Sequence, residues 1–133
     1  MVFDADSTLI QAKSKTCDNA VADKLIEIEN SGVKIFIASN GRTDRISEAF
    51  REHPITAYPM CLKPLPFKLS RLIKKEERKT CALVGDQMFT DILCANLFGI
   101  RSFMTKPYGN DRGAFMRTKR KLEKRILERE TKK

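Results

Sequence analysis

Short, nearly continuous apolar runs alternate along this chain with longer stretches whose apolar residues recur at helical spacing. Val2-Phe3 leads into Asp4 and predicts the end of a strand. Residues 18–31 predict a helix: Asp18 can cap its start, Ala22, Leu25, Ile26 and Ile28 give a partly apolar face, and Gly32 stops it. Val33 to Ala38 is β-rich and almost wholly apolar, the pattern of a parallel strand buried on both faces. A second helix is expected over 42–52, with Ile46, Ala49 and Phe50 on one side, and a short strand from Ile55 to Met60. Pro64 and Pro66 mark a turn, and Pro66 opens a helix through about Ile73. Thr80 to Val84 predicts a buried strand ending at Gly85-Asp86. Residues 88–98 predict a helix closed by Gly99, Ile100 to Met104 a fifth strand, and much of 111–130 a charged helix.

Five strands separated by helical stretches imply βαβ units in an α/β fold with a parallel sheet and right-handed crossovers. The length fits one domain spanning residues 1–133, with a basic helical segment at about 111–133. In open sheets of this kind ligands sit at the carboxyl ends of the strands. Polar residues collect there: Asp4-Ala5-Asp6 after the first strand, Ser39-Asn40-Gly41 after the second, Lys63 after the third and Gly85-Asp86 after the fourth.

Composition narrows the setting. Hydrophobic content of 41% is too high for a disordered chain. No apolar run approaches the ~20 residues that span a bilayer. The N-terminus reads Met-Val-Phe-Asp-Ala-Asp, without the basic and apolar regions of a signal sequence. An intracellular, cytoplasmic protein is therefore expected. Four cysteines without a C-x-x-C pair, and His53 as the sole histidine, argue against a zinc site; Cys81 and Cys94 read as core residues. Charge is unevenly spread: residues 106–133 hold 11 Lys/Arg against 4 Asp/Glu, so that segment carries +7 of the net +9. Such a run is either a solvated helix face, docked through Leu122, Ile126 and Leu127, or an attraction to an anionic membrane surface. Without aromatic interleaving or an RNA-binding motif, nucleic acid is not expected as a partner.

The polar edge supports a definite chemistry. Asp4 is placed to attack phosphorus and form an aspartyl-phosphate. Asp6, two residues on, is placed to protonate the leaving oxygen and then deprotonate water. Carboxylates so clustered need a cation, and an all-oxygen set suits Mg²⁺, held by Asp4, Asp86 and the Asp6 backbone carbonyl. Ser39 can donate to the phosphoryl group, Asn40 lies beside it, and Lys63 adds positive charge where negative charge accumulates.

Asp4-Ala5-Asp6-Ser7-Thr8-Leu9 resembles the first motif of the haloacid dehalogenase (HAD) superfamily, D-x-D-x-T-L. Ile37-Ala38-Ser39-Asn40 resembles the second, Lys63 the third, and Gly85-Asp86-Gln87-Met88-Phe89-Thr90-Asp91 the fourth. Lys63-Pro64, the run from Gly85 to Ile92, Asn96, Gly99-Ile100 and Thr118 to Leu127 are similar to the YqeG group of HAD subfamily IIIA. The resemblance implies a three-layer Rossmann-like HAD core and a magnesium-dependent phosphomonoesterase, with Asp91 supporting the metal site. It also suggests a lipid-linked phosphate such as phosphatidylglycerophosphate as substrate. Ser7 stands where the subgroup usually has Asn. Only Met1, Val2 and Phe3 precede Asp4, fewer than in the subgroup, so a fragment or a late start is expected.

Competing readings fare worse. An EF-hand loop beginning at Asp4 needs Gly and Glu where Leu9 and Lys15 stand. A response-regulator receiver carries its phosphoacceptor after the third strand, and no Asp lies between residues 45 and 85. The 32 residues between Asp6 and Ser39, and the 23 between Ser39 and Lys63, leave no room for a large cap. An open site suits a bulky or membrane-bound substrate, or one screened by a partner subunit in an oligomer. The alternative function is a non-catalytic binding or scaffold module on the same fold.

Overall fold

The computed structural model describes residues 1–109 and 114–131. Its centre is a parallel sheet of five strands: β1 (Val2–Phe3), β2 (Phe36–Ala38), β3 (Ala57–Tyr58), β4 (Ala82–Gly85) and β5 (Arg101–Met104), in the order β3-β2-β1-β4-β5. From β1 the chain builds outward through β2 to β3, then crosses back and builds β4 and β5 on the other side. The order thus reverses between β1 and β4, where a doubly wound sheet opens its ligand crevice. Val2 and Phe3 pair with Phe36 and Ile37 on one side and with Leu83 and Val84 on the other.

Alternation along the strands assigns two faces. Phe3, Ile37 and Val84 share a core with Ala22 and Leu25 of α1 (Asn19–Asn30) and Ile46 and Ala49 of α2 (Thr43–Ala49). Val2, Ala38 and Leu83 share the other with Leu69 of α3 (Phe67–Leu72) and Cys94, Ala95 and Phe98 of α4 (Leu93–Phe98). Helices therefore cover both faces, the three-layer arrangement expected. A last helix, α5, runs from Ala114 to Glu130; residues 111–113 and 132–133 of the predicted basic segment lie outside the described residues. The connections following Asp6 and Ser39 contain single helices and no inserted cap.

Several elements are shorter than their patterns. Val33 to Ile35 falls outside β2, because the pairing with β1 begins at Phe36, whose N–H donates to the Met1 carbonyl. Asp18 occupies the N-cap position of α1, but its side chain makes no capping bond; its backbone carbonyl accepts from Val21 and Ala22 instead. The helix expected over 88–98 opens with a π-helical turn at Met88–Ile92 before becoming α4. Gly99 ends α4 at φ +75°, left-handed backbone that glycine adopts without steric cost, and its N–H donates to the Asn96 carbonyl.

Candidate active site

Asp4 is the first residue past β1, and its N–H donates to the Val84 carbonyl of β4 at 2.8 Å. It is therefore fixed at the switch point by the same ladder that forms the sheet. Asp86 follows β4 directly and is fully buried. Asp91 lies within the π-turn that follows, and its Oδ2 accepts from the Gln87 N–H at 3.1 Å. Lys63 comes from the loop after β3. Its Nζ donates to Asp4 Oδ1 at 2.5 Å and to Asp91 Oδ1 at 2.6 Å, with all three groups buried. An unpaired ammonium would not persist there, and two carboxylates compensate its desolvation.

The loop is shaped to deliver that side chain. Met60 and Leu62 take left-handed backbone, φ +49° and +58°, while Cys61 and Lys63 turn inward between outward-facing neighbours. The Asn40 carboxamide holds Lys63 from both sides: its Nδ2 donates to the Lys63 carbonyl at 2.8 Å, and the Lys63 N–H donates to its Oδ1 at 2.7 Å. Asn40 thus aligns Lys63 through the backbone, a positioning task its sequence context did not suggest.

Asp4, Asp86 and Asp91 each offer one carboxylate oxygen, and the three oxygens lie within 4.8 Å of one another. Burial pushes the Asp4 carboxyl up to about 7 against the opposing pull of Lys63, and the Asp91 charge adds to the rise. Burial likewise raises Asp86, opposed by Arg120. Lys63 is held above its ordinary value because Asp4 and Asp91 outweigh the effect of burial. Three buried acids face two cations, Lys63 on Asp4 and Asp91 and Arg120 on Asp86, and remain one positive charge short. Their all-oxygen donor set fits a hard divalent cation such as Mg²⁺. Thr8 Oγ1 stands between two of them, 3.4 Å from Asp4 Oδ2 and 3.2 Å from Asp86 Oδ1.

A second, less buried group adjoins the first. Asp6 Oδ2 accepts from Arg45 Nη2 at 2.5 Å, and its Oδ1 accepts from the Lys13 N–H at 3.0 Å. Ser39 Oγ lies 3.5 Å from Asp6 Oδ2 and accepts from the Gly41 N–H at 2.9 Å. The Asp6 carboxylate is thus turned toward Arg45 and stands apart from the three acids that form the cluster.

Sequence reasoning missed three contributors. Thr8 lies inside the first motif but was given no role. Arg45 is on α2, one turn beyond Ser39-Asn40-Gly41. Arg120 is on α5, where its guanidinium donates to the Asp86 carboxylate and to the Asp86 backbone carbonyl. The expected docking of α5 through Leu122 and Leu127 is corrected by the structure. Leu122 and Leu127 stay exposed, Ile126 is half-buried, and among the described side chains of this helix the buried one is Glu123. Glu123 Oε1 accepts from the Phe89 N–H at 3.3 Å, and Lys119 Nζ donates to Gln87 Oε1 at 2.8 Å. Polar grips on the loop after β4 hold the helix, so the apolar pattern misjudged its buried side. Glu123, the one acid between Asp111 and Glu128, was the available signal.

Residues 60–124 match the HAD-hydrolase-like family. The chain is 26% identical over 129 residues to "Probable phosphatase YqeG" of Bacillus subtilis (strain 168), covering 96% of this chain and 75% of that protein. Its fold is similar to the crystal structure of an uncharacterized protein from Listeria monocytogenes serotype 4b. The TM-score is 0.63 with 16% identity, over 84% of this chain and 82% of the other. It is also similar to a candidate phosphoglycolate phosphatase from Lactobacillus delbrueckii subsp. bulgaricus, with TM-score 0.55 and 21% identity, over 65% of this chain and 40% of that one.

Proposed function

We propose that this chain, similar to the HAD-hydrolase-like family over residues 60–124 and to a probable phosphatase over most of its length, hydrolyses phosphomonoesters through an aspartyl-phosphate on Asp4, with magnesium as cofactor. The observation that carries the reading is the buried set of Asp4, Asp86 and Asp91 around Lys63 at the carboxyl ends of β1 and β4. Asp4 and Asp86 would hold the ion, with the Asp6 backbone carbonyl as a third ligand and Asp91 in support. When bound, it supplies the positive charge that keeps these acids ionised and lets an anionic phosphate approach.

The protein's own groups account for the remaining chemistry. An Asp4 carboxylate oxygen forms a bond to phosphorus as the bond to the leaving oxygen breaks. Asp6 gives that oxygen its proton, then takes a proton from the water that cleaves the acyl-phosphate and frees Asp4. Lys63 and the Ser39 hydroxyl stabilise charge on the phosphoryl oxygens. Asn40 keeps Lys63 aligned. Asp4→Asn tests the reading, because an amide is a poor nucleophile and a weaker metal ligand. Hydrolysis of an aryl phosphate with magnesium should disappear in the variant. Wild-type turnover in Asp4→Asn would remove Asp4 from its role, and an inactive wild type would favour the non-catalytic scaffold.

The loop that carries Lys63 favours a substrate with an apolar portion. Met60, Leu62, Leu65 and Phe67 surround Lys63 in sequence, and Leu62 and Phe67 are 60% and 63% exposed. Met60, Leu62 and Phe67 line one groove with Lys68 and Arg71. A groove of apolar side chains whose two charged members are both cations, Lys68 and Arg71, suits a lipid-linked phosphate better than a small sugar phosphate. A screen of phosphomonoesters matched in headgroup, with and without an acyl chain, separates the two; equal kcat/KM for both would set the lipid reading aside.

A further inference from the structure

The oxygens around the acid cluster are divided in a regular way. Lys63 takes Asp4 Oδ1 and Asp91 Oδ1. Arg120 takes Asp86 Oδ2 together with the Asp86 backbone carbonyl. Asp4 Oδ2 and Asp86 Oδ1 are the two oxygens that meet the Thr8 hydroxyl, at 3.4 and 3.2 Å. The two cations therefore take one oxygen of each acid and leave Asp4 Oδ2 and Asp86 Oδ1 to the shared Thr8 hydroxyl.

Arg120 is built for that task. A guanidinium is planar and always charged, so two of its N–H groups can bridge a main-chain and a carboxylate oxygen of the same residue, which fixes the carboxylate plane. An ammonium reaches both only as a point charge. The helix carrying Arg120 is itself held down on either side of that residue, by Lys119 on Gln87 and by Glu123 on the Phe89 N–H. Glu123 Oε2 lies 3.6 Å from Arg120 Nη1 and adds a charge contact one turn along the helix. All these contacts fall on Asp86 to Phe89, the turn that joins the two acids of the fourth motif.

We propose that Arg120 is a positioning residue for the divalent cation: from α5 it holds Asp86 Oδ2 and so fixes the plane of the carboxylate, leaving Oδ1 on the side of the Thr8 hydroxyl that Asp4 Oδ2 shares. The basic C-terminal helix is then part of the active site. This inference rests on the proposed magnesium site and assigns a task to one side chain outside the HAD motifs.

The test is calorimetric titration of magnesium into the full chain, as wild type, Arg120→Ala, Arg120→Lys and Lys121→Ala, with a thermal melt of each in the absence of metal. Partners that orient a metal ligand are worth roughly 10–100-fold in metal affinity. Arg120→Ala should weaken magnesium binding by about that factor, and Arg120→Lys should recover only part of it. Lys121→Ala, exposed on the same helix, should bind as wild type. The magnesium concentration for half-maximal hydrolysis should rise in parallel, with kcat at saturating metal changing much less. A merely structural arginine would instead lower the metal-free melt and leave the affinity of the folded protein unchanged. Arg120→Ala that melts as wild type and binds magnesium as tightly, or more tightly, overturns the proposal. If Arg120→Ala does not fold, Arg120→Lys carries the test, and wild-type affinity there overturns it equally. A wild-type chain that neither binds magnesium nor hydrolyses aryl phosphate removes the proposed function itself, and this inference with it.

Discussion

Gly85 closes β4 and gives the sharpest test of how tightly the acid cluster is assembled. A Cβ built on Gly85 would lie 2.4 Å from Asp91 Cβ, Cγ and Oδ2, whereas ordinary van der Waals contact begins at 3.4 Å. Gly85→Ala must therefore displace one element by about 1 Å, and neither can yield easily. β4 is hydrogen-bonded into the sheet on both sides, and Asp91 is buried in a π-turn. The softest response is rotation of the Asp91 carboxylate away from Lys63 and the Gln87 N–H. Breaking a buried charge pair costs ~3–5 kcal/mol, part of which Lys63 keeps through Asp4. A loss of about 2–4 kcal/mol is expected, and 1 kcal/mol moves Tm by roughly 2–8 °C in domains bracketing this size, so the melt should fall by the order of 10 °C. A misplacement of about 1 Å in a site of this kind costs ~10²-fold in rate. The assay is a thermal melt with kcat/KM on aryl phosphate for Gly85→Ala, for Asp91→Gly, which removes the three nearest atoms the methyl would meet, and for the double variant. If the collision is the cause, adding Gly85→Ala to Asp91→Gly should cost much less than adding it to wild type. Gly85→Ala that melts within about a degree of wild type, or a cost as large in the Asp91→Gly background, refutes the packing argument.

Asp6→Asn should leave phosphate binding largely intact and slow both chemical steps by ~10²–10⁴-fold; an unchanged rate would assign the proton to another group. Asp86→Ala should raise the magnesium concentration needed for hydrolysis, and metal-independent turnover would contradict the all-oxygen site. The Asp4 carboxyl, raised from 3.8 to about 7 chiefly by burial, holds a proton in the folded state that the unfolded chain has already released. Its contribution to stability is present below pH ~4 and is lost as pH rises through about 7, so the metal-free Tm should fall between pH 5 and 8 and magnesium should restore more of it at pH 8; a pH-independent magnesium effect would contradict this. Removal of residues 118–133 should weaken binding to anionic vesicles at low salt and, because Arg120 and Glu123 reach the loop after β4, should also impair hydrolysis of small phosphates. Full activity of a folded truncated form would place the helix outside the site.

Much of the site was legible because it depends on local pattern joined to a topological rule. Apolar runs of strand length end in Asp4, Ser39 and Gly85-Asp86, and a parallel α/β sheet places such ends on one edge whatever the remaining sequence does. The parallel sheet and the gathering of Asp4, Lys63 and Asp86 follow from that periodicity and from where the runs stop, whereas the strand order is decided by tertiary pairing and Asp91 entered only through the family resemblance. Nor does the use of each side chain follow from the pattern. Asp18 stands at a helix start, yet its carboxylate caps nothing there, because capping depends on a rotamer and on neighbours rather than on residue type. Asn40 reads as a phosphate contact, but its amide meets the Lys63 backbone, 23 residues away in sequence and adjacent only once β2 and β3 pair. Lys119, Arg120 and Lys121 are interchangeable as letters in a basic helix; the helix's rotation about its own axis makes one an Asp86 ligand and leaves another in water. That rotation is set by where the loop after β4 presents an unpaired N–H and a buried carboxylate, a non-local quantity that no window of sequence contains.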